Sequence, residues 1–470
     1  MNKSYDLKIK NFGPIKNANL KIAPLTIFVG PNNSGKSFSA KLIHSLLNPF
    51  NNNYELGMPI SIKPLDLLME NEELFNEYNS CFIEYLNSDV DFSEIPFKFP
   101  KNKFDDLMCA GVGKYYLDSI ENKLKNNFNK DLNKLNNIVS NSYFDINFNE
   151  ISLKNIGGNL KLDNLLFKPF SDNESDNHNG DFILTINQED NYVFITLNML
   201  LFKSSKAKIE NIPALIYSIL SNAFINNAKN NSYYIPASSY AIAYDLNSSL
   251  THEINGNINS SKIDKELMNL LLDNKNSKEG FFIDISRDMS NRILGGIFVF
   301  DDIDKGIKFI DKKNNEFEFS LVSSSVKELA PLIKYLTDIS QKNDTLIIEE
   351  PENHLHPASQ RILVKYLVEL VNNGLNIILT THSDYILEQF NNLIRLGEVN
   401  SDVLNEFGYS EDNILNHEDI KIYNFKKQED YCYSSEEFEI NETGFIDENF
   451  SKVTDELYDE SVDIIDLMGR

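Results

Sequence analysis

Residues Gly30 to Ser37 read Gly-Pro-Asn-Asn-Ser-Gly-Lys-Ser, the spacing of a phosphate-binding loop. Glycine at both ends lets the backbone curl so that successive N–H groups face phosphate oxygens. The start of a following helix adds partial positive charge. Lys36 then reaches the β- and γ-phosphates of a nucleoside triphosphate, and the Ser37 hydroxyl becomes a ligand for Mg²⁺. Gly30, Pro31, Asn32, Asn33, Ser34, Gly35, Lys36, Ser37 and Phe38 are the candidate nucleotide-binding set. The bland alternative is a glycine-rich turn, and a second motif argues against it. Leu346-Ile-Ile348 runs into Glu349-Glu350-Pro351, an apolar strand ending in two acids. Glu349 is expected to hold Mg²⁺ through its water shell, since a hard cation takes oxygen ligands. Glu350 is expected to position or activate the attacking water. These two acids could instead sit on a solvated loop, but the apolar run before them and Pro351-Glu-Asn-His-Leu-His-Pro357 after them weaken that reading.

Two further segments carry chemistry. Asn376-Ile-Ile-Leu-Thr-Thr-His382 reads as a buried parallel-type strand ending in an imidazole. A lone histidine at a strand end is usually structural. Here its place, one helix after the two acids, favours a contact with the γ-phosphate or the attacking water. Ser323, Ser324 and Ser325 precede a helix carrying Leu329, Leu332 and Leu336, and Ser325 with Glu328 has capping-box spacing. The same hydroxyls and free N–H groups suit phosphate. His354 and His356 lack other ligands at zinc spacing, so they read as a turn into a helix with Pro357 in its first turn.

The elements that must position these residues are legible around them. Leu25–Val29 is the strand before the phosphate loop; the helix after it carries Phe38, Leu42, Ile43, Leu46 and Leu47. Leu7–Ile15 and Ala18–Ile22 alternate like two short strands. Residues 60–140 read as helical, with Leu117, Ile120, Leu124, Phe128, Leu132, Leu135 and Ile138 at spacings of three or four. Strand patterns return at Phe182–Ile186 and Tyr192–Leu197, after a polar loop at Ser171–Gly180. A helix near 209–228 leads into Tyr233–Ala237, and a short one lies near Leu267–Leu272. Strands are expected near Gly295–Phe309 and Phe317–Leu321. The tail shows a strand pair, Ile420–Phe425 and Phe438–Gly444, then a helix near 452–467. The resulting division is an ATPase core in two halves, 1–58 and 231–396, with a helical insertion at 59–142. An antiparallel region at 143–230 joins the ATPase lobe, and 397–470 is a small acidic α+β region. The fold class is α/β, a mixed sheet core with an antiparallel β subdomain.

The 470 residues allow two or three domains, and 41% hydrophobic content supports a real core. No apolar run approaches the roughly 18 residues that span a membrane. The N-terminus shows no apolar signal region, and Cys81, Cys109 and Cys432 make no metal pattern, so a reduced, cytoplasmic protein is expected. The net charge of −26 argues against coating nucleic acid by charge alone. Local basic strips remain at Lys123, Lys125, Lys130 and Lys134, and at Lys203, Lys206 and Lys208; both read first as solvated helix faces.

In order, these pieces resemble the ATP-binding-cassette-type ATPases of the SMC, RecF and OLD group, most of all the stand-alone prokaryotic AAA family ATPases. The residues that carry the likeness are Ile9–Ile15, Gly30–Ser37, Tyr234–Ala237, Ser323–Glu328, Glu349–Pro357 and Thr381–Ser383. It covers roughly 1–50 and 230–395. The resemblance implies a homodimer or higher homo-oligomer in which two heads sandwich ATP and Mg²⁺. Ser323, Ser324 and Ser325 would then meet the γ-phosphate held by the other head, with Glu350 as base, His382 as switch and Lys36 beside the transferred phosphate. Two departures stand out. Ser325 occupies a position where the group usually has glycine, and Ser238-Ser-Tyr240 replaces an arginine, which implies slow hydrolysis. Residues after His382 lack the acidic pattern of a TOPRIM nuclease. The implied role is a switch acting on a separate effector, a nuclease or toxin, in anti-phage or anti-plasmid defence. The alternatives are a DNA-clamping repair ATPase, a non-hydrolysing scaffold and a transporter subunit.

Overall fold

A computed structural model describes residues 5–47, 62–88, 97–115, 184–189, 192–197, 232–237, 279–300, 307–400, 404–428, 432–446 and 448–467, with isolated positions elsewhere. It divides into two compact units, one of residues 1–47, 124–145 and 230–470 and the other of 48–123 and 146–229. In chain order the first unit opens with β1 (Tyr5–Phe12), β2 (Ile15–Ile22), β3 (Leu25–Val29) and α1 (Lys36–Leu47). The second contains α2 (Ile62–Met69), α3 (Glu72–Leu86), β4 (Phe97–Pro100), α4 (Lys101–Met108), β5 (Leu184–Glu189) and β6 (Tyr192–Leu197). The first unit resumes with β7 (Ser232–Ile235), α5 (Ile283–Leu294), β8 (Gly296–Phe300), β9 (Ile307–Asp311), β10 (Glu316–Glu318) and α6 (Ser324–Asp338). It closes with β11 (Thr345–Glu349), α7 (Pro357–Asn372), β12 (Asn376–Thr380), α8 (Asp384–Arg395), β13 (Ile420–Lys427), β14 (Tyr433–Glu437) and α9 (Glu448–Leu467).

Among the described residues the main sheet has eight strands in the order β1-β2-β14-β13-β3-β12-β11-β7. From β13 to β7 the neighbours are parallel. Such strands are covered on both faces, so they read as unbroken apolar runs rather than alternating ones. Every residue of β3 and β11 is buried accordingly. The remaining pairs include two antiparallel ones, β13 with β14 and β1 with β2. A two-residue turn at Gly13-Pro14 joins β1 to β2, with Gly13 at φ +55°. That sign suits the first position of a tight hairpin turn. The core of this unit packs Leu332, Leu336, Leu363, Leu367 and Phe390 from three helices against Ile27, Ile348 and Leu379 of the sheet.

Several expectations shift. The stretch 60–140 is not helical throughout: β4 lies in it and pairs antiparallel with β6, which also pairs with β5, making a three-stranded sheet. The segment set apart as 397–470 contributes β13 and β14 to the main sheet, with β13 beside the phosphate-loop strand. Its second strand is Tyr433–Glu437 rather than Phe438–Gly444, where a short turn closes on the bridge Asn441–Gly444 instead. Lys123 is buried rather than part of a solvated face, and Leu124 is buried as the helical stripe expects. The other residues of that stripe, the loop at 171–180, Ser238, Tyr240 and the remaining lysines of both basic strips lie outside the described residues. No described helix is long and apolar enough to cross a membrane.

Candidate functional site

The chemistry converges because three neighbouring strands end at one level. Phe28 of β3 is in register with Thr380 of β12, and Thr380 with Glu349 of β11. The ladder continues one step past the strands: Thr381 N–H donates to Phe28 O (3.1 Å) and Glu350 N–H to Thr380 O (2.9 Å). The carboxyl ends of parallel strands are where α/β sheets open a ligand crevice. Here they bring the phosphate loop, the two acids and His382 side by side.

The loop is curled as its glycines require. Gly30 has φ +132° and Gly35 φ +107°, and Asn33 also adopts positive φ. A side chain at Gly30 would put Cβ 2.8 Å from the carbonyl oxygen of Phe425, because β13 passes close beside it. The Lys36 ammonium donates to the carbonyls of Gly30 and Pro31, both at 2.9 Å, and draws the loop around itself. Burial lowers the Lys36 pKa to about 8, against the opposing pull of Glu350, Glu349 and Glu352. Ser37 lies in the first turn of α1, after Lys36, and Phe38 packs edge-on against Phe12 and over the Gly13 turn.

Glu349 is buried at the end of β11. One carboxylate oxygen accepts from Ala237 N–H (3.2 Å); the other, Oε1, has no hydrogen-bond partner among the described residues. Burial, then the nearby Glu349 charge, holds the Tyr234 phenol protonated. Glu350 stands at φ +47°, a conformation that costs a long side chain energy and that tends to survive where the surroundings force it. The turn sends the chain sharply away from β11, and Asn353 Nδ2 donates to Glu350 Oε2 at 3.1 Å. His382 Nε2 lies 3.7 Å from Glu350 Oε1. Partial burial lowers the His382 pKa, Lys36 lowers it further, and Glu350 opposes both.

Glu352, to which the sequence reading gave no role, ties the two strand ends together. Its Oε1 accepts from the Thr381 hydroxyl (2.7 Å) and from His382 N–H (2.8 Å). Burial raises its pKa, and the Glu350 charge adds to this against the hydrogen bonds. Ser383 caps α8, accepting from Ile386 N–H, and donates to Gln360 Oε1 at 2.5 Å. His356 caps α7 through Nδ1, which accepts from Ala358 N–H, with Pro357 at the helix start as expected. The acidic third position of Glu-Pro-Glu was the only signal for Glu352, and it is visible only once Thr381 is known to lie beside it.

The serine segment is arranged differently from its sequence reading. Ser323, not Ser325, caps α6, its side chain accepting from Val326 N–H. The capping-box reading of Ser325 and Glu328 fails because α6 starts one residue past Ser323: Ser325 is already helical and donates to His354 O at 2.6 Å. Glu328 is buried, and its carboxylate accepts from Ser239. Among the described residues no hydrogen bond joins Ser323, Ser324 or Ser325 to the phosphate loop.

The residues fit a nucleotide with Mg²⁺. Among the described residues Ser34 Oγ and Glu349 Oε1 are buried without hydrogen-bond partners, close in sequence to the loop lysine and the strand end. Among the described residues no cluster of three or more His, Cys, Asp or Glu side chains could hold a metal alone. Mg²⁺ keeps several waters and takes phosphate oxygens with one or two protein ligands, and Ser37 and Glu349 would be the protein's share here. When bound, such an ion neutralises charge on the phosphates.

A profile of the AAA ATPase domain matches residues 5–387. The chain belongs to that family. The match spans the AAA ATPase phosphate loop, the acidic strand end and His382 alike. Among solved structures the chain is similar to the SMC head domain from Thermotoga maritima, at 10% identity and TM-score 0.33, covering 93% of this chain and 100% of that one. It is also similar to an Smc head domain with an extended coiled coil, bound to the C-terminal domain of ScpA and derived from Pyrococcus furiosus. That likeness has 12% identity and TM-score 0.33, over 97% of this chain and 100% of that one. Likeness at this level carries no argument about function. No curated protein matches the chain.

Proposed function

We propose that this AAA ATPase binds ATP with Mg²⁺, hydrolyses it, and uses the cycle to switch a pair of heads that governs a separate effector. The observation that carries the reading is the convergence of Lys36, Glu349, Glu350 and His382 on adjacent parallel strand ends. Lys36 and the loop N–H groups would bind and orient the phosphates, with Ser37 and Glu349 beside the cation. Glu350, held by Asn353 and turned by its positive φ, would accept a proton from the attacking water. A His382 imidazole with a lowered pKa is neutral at pH 7, so its Nε2 can accept or donate at the γ-phosphate side. Glu352 would fix the backbone that aims it.

Ser323 and Ser324 are exposed at the start of α6. That suits contact with a nucleotide on a second copy, so the paired-head arrangement is part of the proposal. The effector, a nuclease or toxin used in defence against phage or plasmids in the cytoplasm of a prokaryote, follows the family resemblance of the sequence. Net charge of −26 weighs against the DNA-clamping alternative. Sedimentation velocity on Glu350→Gln protein tests the switch. A dimer that forms with ATP and Mg²⁺ but not with ADP is expected; a monomer in both would overturn the paired-head reading.

A further inference from the structure

The last helix, α9, spans Glu448–Leu467 and is amphipathic, and the side chains described along it are exposed. From Glu456 to Ile465 every side chain is exposed, among them Leu457 at 59%, Ile464 at 51% and Ile465 at 52%. At 100° per residue, Leu457, Tyr458, Val462, Ile464 and Ile465 fall within an arc of about 160°. Glu456, Asp459, Glu460 and Asp463 occupy the opposite arc. Most helical stability in proteins comes from packing an apolar face rather than from propensity. The face is therefore built to be covered, and its charge says by what. Lys452 is the only base in the helix, so a second copy of α9 would set acids against acids. An anionic lipid surface would repel it too, since helices that lie on membranes carry Lys and Arg on the polar face.

We infer that α9 is a docking helix for a protein partner that presents an apolar groove rimmed by Lys and Arg, recognised in helix-in-groove fashion. The inference goes beyond the ATPase reading and stands without it. Leu457 and Ile464, one heptad apart, form the stripe along one edge of this face, beside the acids, and are the anchors tested here; the acidic arc steers association and sets its salt dependence.

The test uses the full-length chain without nucleotide and a labelled helical peptide of leucine and lysine, about 20 residues to match α9, with one apolar and one basic face. Fluorescence anisotropy is expected to show saturable binding that weakens with salt. The double substitution Leu457→Gln, Ile464→Gln keeps every charge and is expected to raise Kd about tenfold or more. Both positions are exposed, so circular dichroism should be unchanged. Absence of peptide binding would overturn the inference, and so would equal affinity in the double variant, which would mean bulk electrostatics alone. Two other outcomes would also overturn it by naming a different occupant. One is nucleotide-independent dimerisation in sedimentation velocity that the double variant loses; the other is co-flotation with phosphatidylglycerol vesicles.

Discussion

The strand ends around Lys36 and the helix α9 are incomplete in opposite senses. At the strand ends polar atoms are buried with too few partners: Glu349 Oε1, Glu352 Oε2 and Ser34 Oγ have none among the described residues. Along α9, apolar side chains are exposed. Burying an unpaired polar group and exposing an apolar face both cost free energy, so each region specifies its complement. The first asks for a cation and hydrogen-bonding oxygens, the second for an apolar surface with positive edges. Rigidity differs too. The strand ends are held by the sheet, and Glu352 fastens Thr381 and His382 after β12 to the segment after β11, whereas the described side chains in the last turns of α9 are exposed.

Substitutions can break that contrast. The largest effect is expected from Lys36→Ala, which removes an ammonium that Glu350, Glu349 and Glu352 act on. ATP affinity measured by calorimetry should fall by about 100-fold or more, roughly 2.7 kcal/mol; unchanged affinity would remove the phosphate-loop assignment. Next comes Glu352→Ala, which strips the acceptor from the Thr381 hydroxyl and from His382 N–H. Each buried donor left unsatisfied costs about 1–3 kcal/mol. Faster amide exchange at His382 and a lower thermal midpoint should follow, and a variant as stable as the parent would show that Glu352 holds nothing in place.

A smaller effect lies in pH. The folded Lys36 pKa, about 8, is below its ordinary 10.5, so between these values the unfolded chain holds a proton that the folded one lacks. Stability therefore gains from this group as pH rises through that window, and below about 8 the fold carries the cost of a buried charge. Phosphate oxygens beside Lys36 would pull the pKa back up. Binding of ATP near pH 8.5 should then take up protons, seen as a dependence of binding heat on buffer ionisation enthalpy that fades at pH 7. Heat that is independent of buffer at both pH values would contradict it. The smallest change is expected from Leu457→Asp on α9, within about 0.5 kcal/mol in denaturant unfolding of the chain alone. A large loss there would mean that Leu457 packs on its own protein.

The two regions also differed in how far the sequence exposed them. Leu25–Val29, Leu346–Ile348 and Asn376–Thr380 are legible because strands buried on both faces are unbroken apolar runs next to residues that chemistry demands. The tail was harder. Tyr433–Glu437 is polar and short, so it reads as a loop although it sits inside the main sheet, where pairing of the backbone rather than side-chain pattern places it. Neither Glu352 nor Gln360 could be given a role from spacing, because their partners Thr381, His382 and Ser383 come from the next strand and helix. The helix cap at Ser323 was displaced by two residues in the sequence reading, since three consecutive serines offer equal caps and only backbone geometry chooses among them.

Steady-state turnover of Glu350→Gln, with ATP affinity measured alongside, tests the central claim most directly. The carboxylate at φ +47° is assigned to take the proton of the attacking water, so the amide should lower turnover by about 10²–10⁴-fold while ATP still binds. Turnover equal to that of the parent protein would mean that Glu350 is not the base and that the strand ends do not work as described.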